Sequence, residues 1–166
     1  MKHVLVIDEG TTGVTCLVIS EQVMIVGRGY REITQYFPKP GWVEHDATEI
    51  FERTLISARE AIAASGVEPD AIGITNQREA IVVWDRETGN HLAKAIVWQD
   101  RRTTERCRVL APQASAITAL TGLPVDPYFS ASKLELLLKL PDTASRLRSG
   151  SVLCGIVCGS GGPTDC

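Results

Sequence analysis

Apolar, strand-forming residues gather in three short runs at the start of the chain: Val4 to Ile7, Val14 to Ile19 and Met24 to Ile33. Polar or glycine-containing turns of hairpin length separate them, so the pattern predicts an antiparallel three-strand meander. The period then changes. Ile50, Phe51, Leu55, Ala58 and Ile62 recur at helical spacing behind Asp46, and Glu49 follows Asp46 at the spacing of a capping box with an acid as the cap. Gly66 closes that helix. Beyond it, Ala71 to Thr75, Ala80 to Trp84 and Ala93 to Val97 are short β-rich runs, the last two joined by a turn around Thr88-Gly89-Asn90. Thr103 to Leu110 and Ala114 to Leu120 read as helices interrupted by Pro112. Ser130 is placed to cap a third helix over Ala131 to Leu140, which Pro141 stops.

A meander, a crossover helix and further strands make an α/β layer with a mixed sheet, unlike the strict alternation of a doubly wound fold. A ribonuclease H-like or actin-like ATPase half fits that order. From Ile156 onward the strand-like text dissolves into small residues, so residues 1–155 read as one incomplete domain and 156–166 as an irregular tail. With 44% apolar and 22% charged residues over 166 positions, the composition is that of one globular domain with its own core. A net charge of -3 supplies no basic field, which argues against nucleic acid as a partner and requires any anion site to be local. No apolar run reaches the length of a signal peptide or a membrane span, and a cytoplasmic location is expected. The five cysteines lack the density and even count of a secreted disulfide scaffold. Cys154 and Cys158 have no His or second Cys pair nearby to complete a metal site, so free thiols are expected.

Candidate chemistry starts at Asp8, which ends the first strand and leads through Glu9-Gly10-Thr11-Thr12-Gly13 directly into the second. Such a turn can aim backbone N–H groups and threonine hydroxyls at a phosphate, because glycine lets the backbone approach without a Cβ. Asp8 would then face Mg²⁺, an ion that takes one or two carboxylates and keeps most of its waters. A P-loop is excluded, since Gly-Lys-Ser/Thr leading into a helix is missing and Val14 to Ile19 is β-forming. The same residues also suit a plain hairpin turn.

A second constellation follows the strand at Ala71 to Thr75. Asn76-Gln77-Arg78-Glu79 puts a charged pair beyond a strand's carboxyl end, where open α/β sheets hold ligands, and Trp98 leaves its own strand similarly. The Arg fork and the Glu oxygens together can satisfy neighbouring hydroxyls of a small polyol, and aromatic rings can cover its C–H side. Asp126-Pro127-Tyr128-Phe129 is a stiff segment able to present Tyr128 or Phe129. Taken singly, Arg78 and Glu79 also suit a surface ion pair, and Trp98 and Phe129 a core. The Pro-rich segment Tyr36 to Asp46 reads as a rigid loop, and His45 has no nucleophile or metal cluster beside it. Arg101, Arg102, Arg106 and Arg108 read as the solvated face of a helix.

Read together, Asp8-Glu9-Gly10-Thr11-Thr12, the segment Phe37 to Asp46, Gly73-Ile74-Thr75-Asn76-Gln77-Arg78-Glu79, Ala95-Ile96-Val97-Trp98-Gln99 and Asp126-Pro127-Tyr128-Phe129-Ser130 resemble the glycerol kinases in order and spacing. The resemblance runs from about Val4 to Gly155. Among related carbohydrate kinases, the Asn-Gln-Arg-Glu segment is what points to glycerol. The resemblance implies an actin-like ATPase fold and transfer of the γ-phosphoryl of ATP to glycerol, giving sn-glycerol 3-phosphate. It implies Asp8 toward Mg²⁺, Gly10, Thr11 and Thr12 on the nucleotide phosphates, and Arg78, Glu79, Trp98 and Tyr128 around glycerol. Members of the family are often homo-oligomeric.

Two departures accompany it. The family pattern usually has an Arg three residues after the second threonine, where this chain has Thr15, so nucleotide contact is expected to be weaker. The chain also corresponds to about the first third of a typical member, which implies that the catalytic Asp, the adenosine cleft and a second domain lie downstream and that this portion turns over little or nothing alone. The competing readings are a non-catalytic polyol-binding module and a kinase of another small sugar or polyol.

Overall fold

The computed structural model describes residues 1–157. The meander forms as β1 (His3–Glu9), β2 (Gly13–Ser20) and β3 (Ile25–Glu32), with β2 antiparallel to both neighbours and a register shift between Val18 and Ile19. Val14, Cys16 and Val18 are fully buried, as period-2 alternation demands. The crossover helix α1 (Ala47–Ser65) returns the chain to β5 (Ala71–Asn76), which lies parallel to β1 and completes a mixed sheet of order β3-β2-β1-β5.

Local chemistry fixes both ends of α1. Asp46 accepts the N–H groups of Thr48 and Glu49, and Gly66 ends the helix in the left-handed region at φ 66°. Only half of the capping box forms, because the Glu49 carboxylate turns away to accept the Thr34 N–H and hydroxyl. α1 buries Ile50, Thr54, Ser57 and Ala61. It lies so close to β3 that a Cβ at Gly29 would stand 2.0 Å from the Ser57 carbonyl oxygen, and one at Gly27 would stand 2.1 Å from that of Ala61. Glycine is therefore required at both positions for helix and sheet to meet.

The later strand runs do not extend this sheet. β4 (Glu44–His45), β6 (Ile81–Asp85), β7 (Ala95–Ile96) and β8 (Val152–Ile156) form a second, antiparallel sheet of order β4-β7-β6-β8. β6 is buried at all five positions: Val82 and Trp84 pack with Ala47 and Ala95, while Ile81 and Val83 pack with Ile96 and Leu137. A strand buried on both faces reads as a continuous apolar run, which conceals the sheet to which it belongs. At the expected tail, Ile156 closes β8, and Val157 is buried in the first core with its N–H on the Ala80 carbonyl. Residues 158–166, including Cys158 and Cys166, lie outside the described residues. Cys16, Cys107 and Cys154 are free thiols.

Two expectations about the helices are corrected. After α2 (Thr104–Leu110), a 3₁₀ turn, α3 (Ala114–Thr121) and α4 (Ser130–Leu138), Pro141 opens a further helix, α5 (Pro141–Arg148). Proline fits the first helical turn, where no N–H partner is needed, and the preceding Leu140 is extended as a pre-proline residue should be. The second correction is Arg102, which lies before α2 with its side chain only 6% exposed. Its guanidinium donates to Asp100 at 2.8 Å and to Glu44 at 2.8 Å, and stacks 3.7 Å from the Trp42 ring centre. Asp100 is itself fully buried and accepts the Val43 N–H at 2.7 Å. Arginine's planar fork makes this possible where an exposed helix face was expected. The other three arginines do pair at the surface, Arg101 with Asp126, Arg106 with Glu135 and Arg108 with Glu105.

This clasp pins the Pro-rich loop to the segment leaving β7. Arg102→Ala strands the buried Asp100 charge and is expected to destabilise the chain by about 3–5 kcal/mol. Arg102→Lys, keeping charge but losing the fork, should fall between it and wild type in urea denaturation. A wild-type midpoint for Arg102→Ala would remove the clasp from the account.

Candidate functional site

β1 and β5 are parallel, with Asp8 opposite Thr75 and Glu9 opposite Asn76, and the Gln77 N–H donates to the Glu9 carbonyl at 2.8 Å. Both chains therefore leave the sheet at the same edge, one into Gly10-Thr11-Thr12 and the other into Gln77-Arg78-Glu79. Antiparallel pairing would have put the two exits about 20 Å apart, a strand length. Gly10 turns tightly, since a Cβ there would lie 3.0 Å from the Gly13 carbonyl oxygen.

The aromatic members reach the same place. Trp98, just beyond β7, donates its indole N–H to the Thr11 hydroxyl at 3.0 Å, which joins the two sequence constellations directly. The Tyr128 ring centre is 5.6 Å from that of Trp98 at an interplanar angle of 57°, and Phe129 packs edge-on against Tyr128 at 5.1 Å. Such tilted contacts suit the ring quadrupoles.

Glu79 is held under constraint. It has φ 66°, a left-handed conformation that costs a non-glycine residue free energy and recurs at functional sites. Its carboxylate accepts the Ser130 N–H at 2.9 Å and the Ser130 hydroxyl at 2.6 Å. Ser130 is the first residue of α4 and not its cap, and Phe129 at the cap position offers no side-chain acceptor. Glu79 therefore caps α4 from another part of the chain, with its negative charge at the positive end of the helix. Arg78 is exposed, and it has no hydrogen bond or ion pair to another described residue. Arg78 and Glu79 are thus not a surface pair. The Asp8 carboxylate is exposed and likewise unpaired among the described residues, as is the hydroxyl of Tyr128, which is 39% exposed. Asp8 and Arg78 thus leave neighbouring strand ends with unused capacity, and Tyr128 is linked to the turn after Asp8 through Trp98. Among the described residues, no group of three or more His, Cys, Asp or Glu side chains could hold a metal, and no helix is long and apolar enough to cross a membrane.

Gln77 and His45 behind this edge carry no sequence signal of their own. His45 is fully buried, with the Gln77 side-chain amide on its Nδ1 at 3.1 Å. If the amide donates, the imidazole is neutral with its proton on Nε2. Burial pushes the His45 pKa down to about 4, against a smaller opposing pull from Glu49.

A mixed sheet that brings a Gly-Thr-Thr turn and a cluster of charged and aromatic side chains to one strand edge is the arrangement of an actin-like ATPase fold of the sugar-kinase kind. Residues 3–152 match the N-terminal domain of the FGGY family of carbohydrate kinases, and the chain belongs to that family. It is 46% identical over 163 residues to a glycerol kinase of Alcanivorax borkumensis, covering 95% of this chain and 33% of that protein. It is 47% identical over 162 residues to one of Ectopseudomonas mendocina, covering 94% and 33%. Among solved structures, Plasmodium falciparum glycerol kinase with ADP superposes with a TM-score of 0.92 at 32% identity over 96% of this chain and 33% of that one. A xylulose kinase from Rhodospirillum rubrum shares the fold, with a TM-score of 0.85 at 22% identity over 96% of this chain and 33% of that one. The chain spans about a third of the length of the curated relatives it matches.

The neutral state of His45 is testable through stability. Its pKa is lower folded than unfolded, so the unfolded chain binds more protons between about 6.5 and about 4. Stability from this group is complete above about 6.5 and declines as pH falls through that window, with a slope of at most about 1.4 kcal/mol per pH unit. His45→Gln should flatten that part of the wild-type profile measured by denaturation. Parallel profiles for the two proteins would show that His45 titrates normally.

Proposed function

We propose that this chain is the N-terminal portion of a glycerol kinase, which transfers the γ-phosphoryl group of ATP to a terminal hydroxyl of glycerol to give sn-glycerol 3-phosphate. The observation that carries the reading is the Trp98 indole N–H on the Thr11 hydroxyl, because it joins the phosphate turn to the polyol cluster. In this reading Arg78 and Glu79 bind the glycerol hydroxyls, and Trp98 and Tyr128 cover its C–H face. Gly10, Thr11 and Thr12 present N–H and O–H donors to the nucleotide phosphates. ATP as the donor is supported by the kinase family and by the ADP named with the Plasmodium falciparum relative.

Asp8 fits a role toward Mg²⁺, being an exposed, unpaired carboxylate beside that turn. When bound, the ion would neutralise phosphate charge. What these residues contribute is alignment: a polyol held by charged and aromatic groups, one indole away from the hydroxyl of the phosphate turn. The group that accepts the hydroxyl proton is assigned to the length of the relatives that this chain does not span. A cytoplasmic setting belongs to the same proposal.

Titration calorimetry of the chain with glycerol tests the pocket. Weak binding is expected, and Arg78→Ala should reduce affinity about tenfold or more, the usual loss when a charged hydrogen bond disappears. An undiminished signal in Arg78→Ala would take that residue out of the site, and no binding to wild type would remove glycerol from the assignment.

A further inference from the structure

α4 carries a lysine on its buried stripe, four residues before the buried Leu137. Lys133 is fully buried. Its ammonium donates to the carbonyl oxygens of Val97 at 2.9 Å, Trp98 at 3.1 Å and Tyr128 at 3.2 Å. An ammonium has three donors, and all three are used. No carboxylate among the described residues forms an ion pair with it, so the carbonyl dipoles take the place of both water and counter-ion.

Stability alone does not explain such a residue. A buried cation costs free energy that an apolar side chain of similar volume avoids. What the lysine adds is a connection between two stretches of backbone far apart in sequence. Val97 and Trp98 belong to the exit of β7, and Tyr128 to the turn before α4. These are the two segments whose rings stand 5.6 Å apart in the candidate pocket. No other hydrogen bond ties the Trp98 backbone to that of Tyr128 among the described residues. One helical turn earlier, Ser130 holds Glu79. The first turns of α4 thus carry both the acid and the aromatic wall.

We propose that Lys133 is a positioning residue of the polyol pocket, its ammonium fixing the separation of Trp98 and Tyr128 by gripping the carbonyls of both. The pocket assignment is the reading proposed above, whereas the ring geometry can be measured without it. Burial lowers the lysine pKa to about 8. The charged groups acting on it are Asp100 and Glu79, which favour the ammonium, and Arg101 and Arg102, which oppose it. None of these four has an ordinary pKa between 8 and 9.5. Above about 8 the amine keeps only two donors and must release one carbonyl.

Nuclear Overhauser contacts between the Trp98 and Tyr128 rings, recorded on the chain, read the separation directly. They are expected in wild type near pH 7, to weaken reversibly as pH rises from 7 to 9.5, and to be lost at every pH in Lys133→Met. Leu137→Ala, a core truncation on the same helix face, should keep the contacts and their pH response despite lowered stability. Contacts that persist unchanged in folded Lys133→Met, or fail equally in Leu137→Ala, would overturn the proposal. Should Lys133→Met not fold, the wild-type pH series decides, and contacts constant from pH 7 to 9.5 would refute it. In parallel, glycerol affinity should fall about tenfold in Lys133→Met, in line with an Arg78→Ala loss. Absence of glycerol binding in wild type would sink the pocket while the ring contacts still judge Lys133.

Discussion

The parallel register of β1 and β5 is the constraint on which the site depends. Two strands that run the same way end at the same edge, so placing Thr75 opposite Asp8 commits the Gly-Thr-Thr turn and the Arg78-Glu79 segment to one neighbourhood. A parallel neighbour requires a crossover, and α1 supplies it. That helix can lie over the sheet only because Gly27 and Gly29 leave room for its backbone. Two glycines in β3, far from the site in sequence, are therefore among its structural conditions.

Glu79 belongs both to the fold and to the candidate site. Its left-handed backbone turns the chain out of the first sheet and toward β6, which belongs to the second. Its carboxylate meanwhile supplies the N-terminal acceptor that α4 lacks locally. Strain in the backbone is offset by a charge-assisted contact at a helix end. The acid is thereby held in one orientation, and in the proposed reading preorganisation of this kind lowers the entropy lost on binding.

Much of this could be read from residue patterns. The meander, the Asp46 cap, Gly66 at the end of α1 and the return to β5 follow from local periodicity and turn chemistry, which the chain obeys closely in its first half. Candidate residues could be nominated because Asp8, Arg78, Glu79 and Trp98 sit at or just beyond strand ends, where open α/β sheets hold ligands. Long-range polar choices were hidden. Arg102 looked like part of a basic helix face, since nothing near it in sequence announces the buried Asp100 pair and the Trp42 stack. Ser130 looked like a cap because its residue type usually is one, whereas its partner lies 51 positions away. The division into two sheets was also hidden, since β6 is buried on both faces and offers no alternation.

Arg102 and Lys133 are both buried cations, and their partners separate two tasks. Arg102 is neutralised by two carboxylates and stacked on a ring, so its charge is compensated locally and its pairs hold a loop in place. Lys133 faces three neutral carbonyls, and its retention of a proton depends on how well those dipoles substitute for water. The first arrangement is suited to fixing architecture, because no proton need leave it within the range where the fold survives. The second depends on the positions of the carbonyls, and therefore on the placing of the two rings whose residues supply them. In the proposed reading, a ligand resting on the paired Trp98 and Tyr128 rings and the ammonium behind them favour the same backbone geometry, so occupation of the pocket and protonation of Lys133 should reinforce each other by linkage.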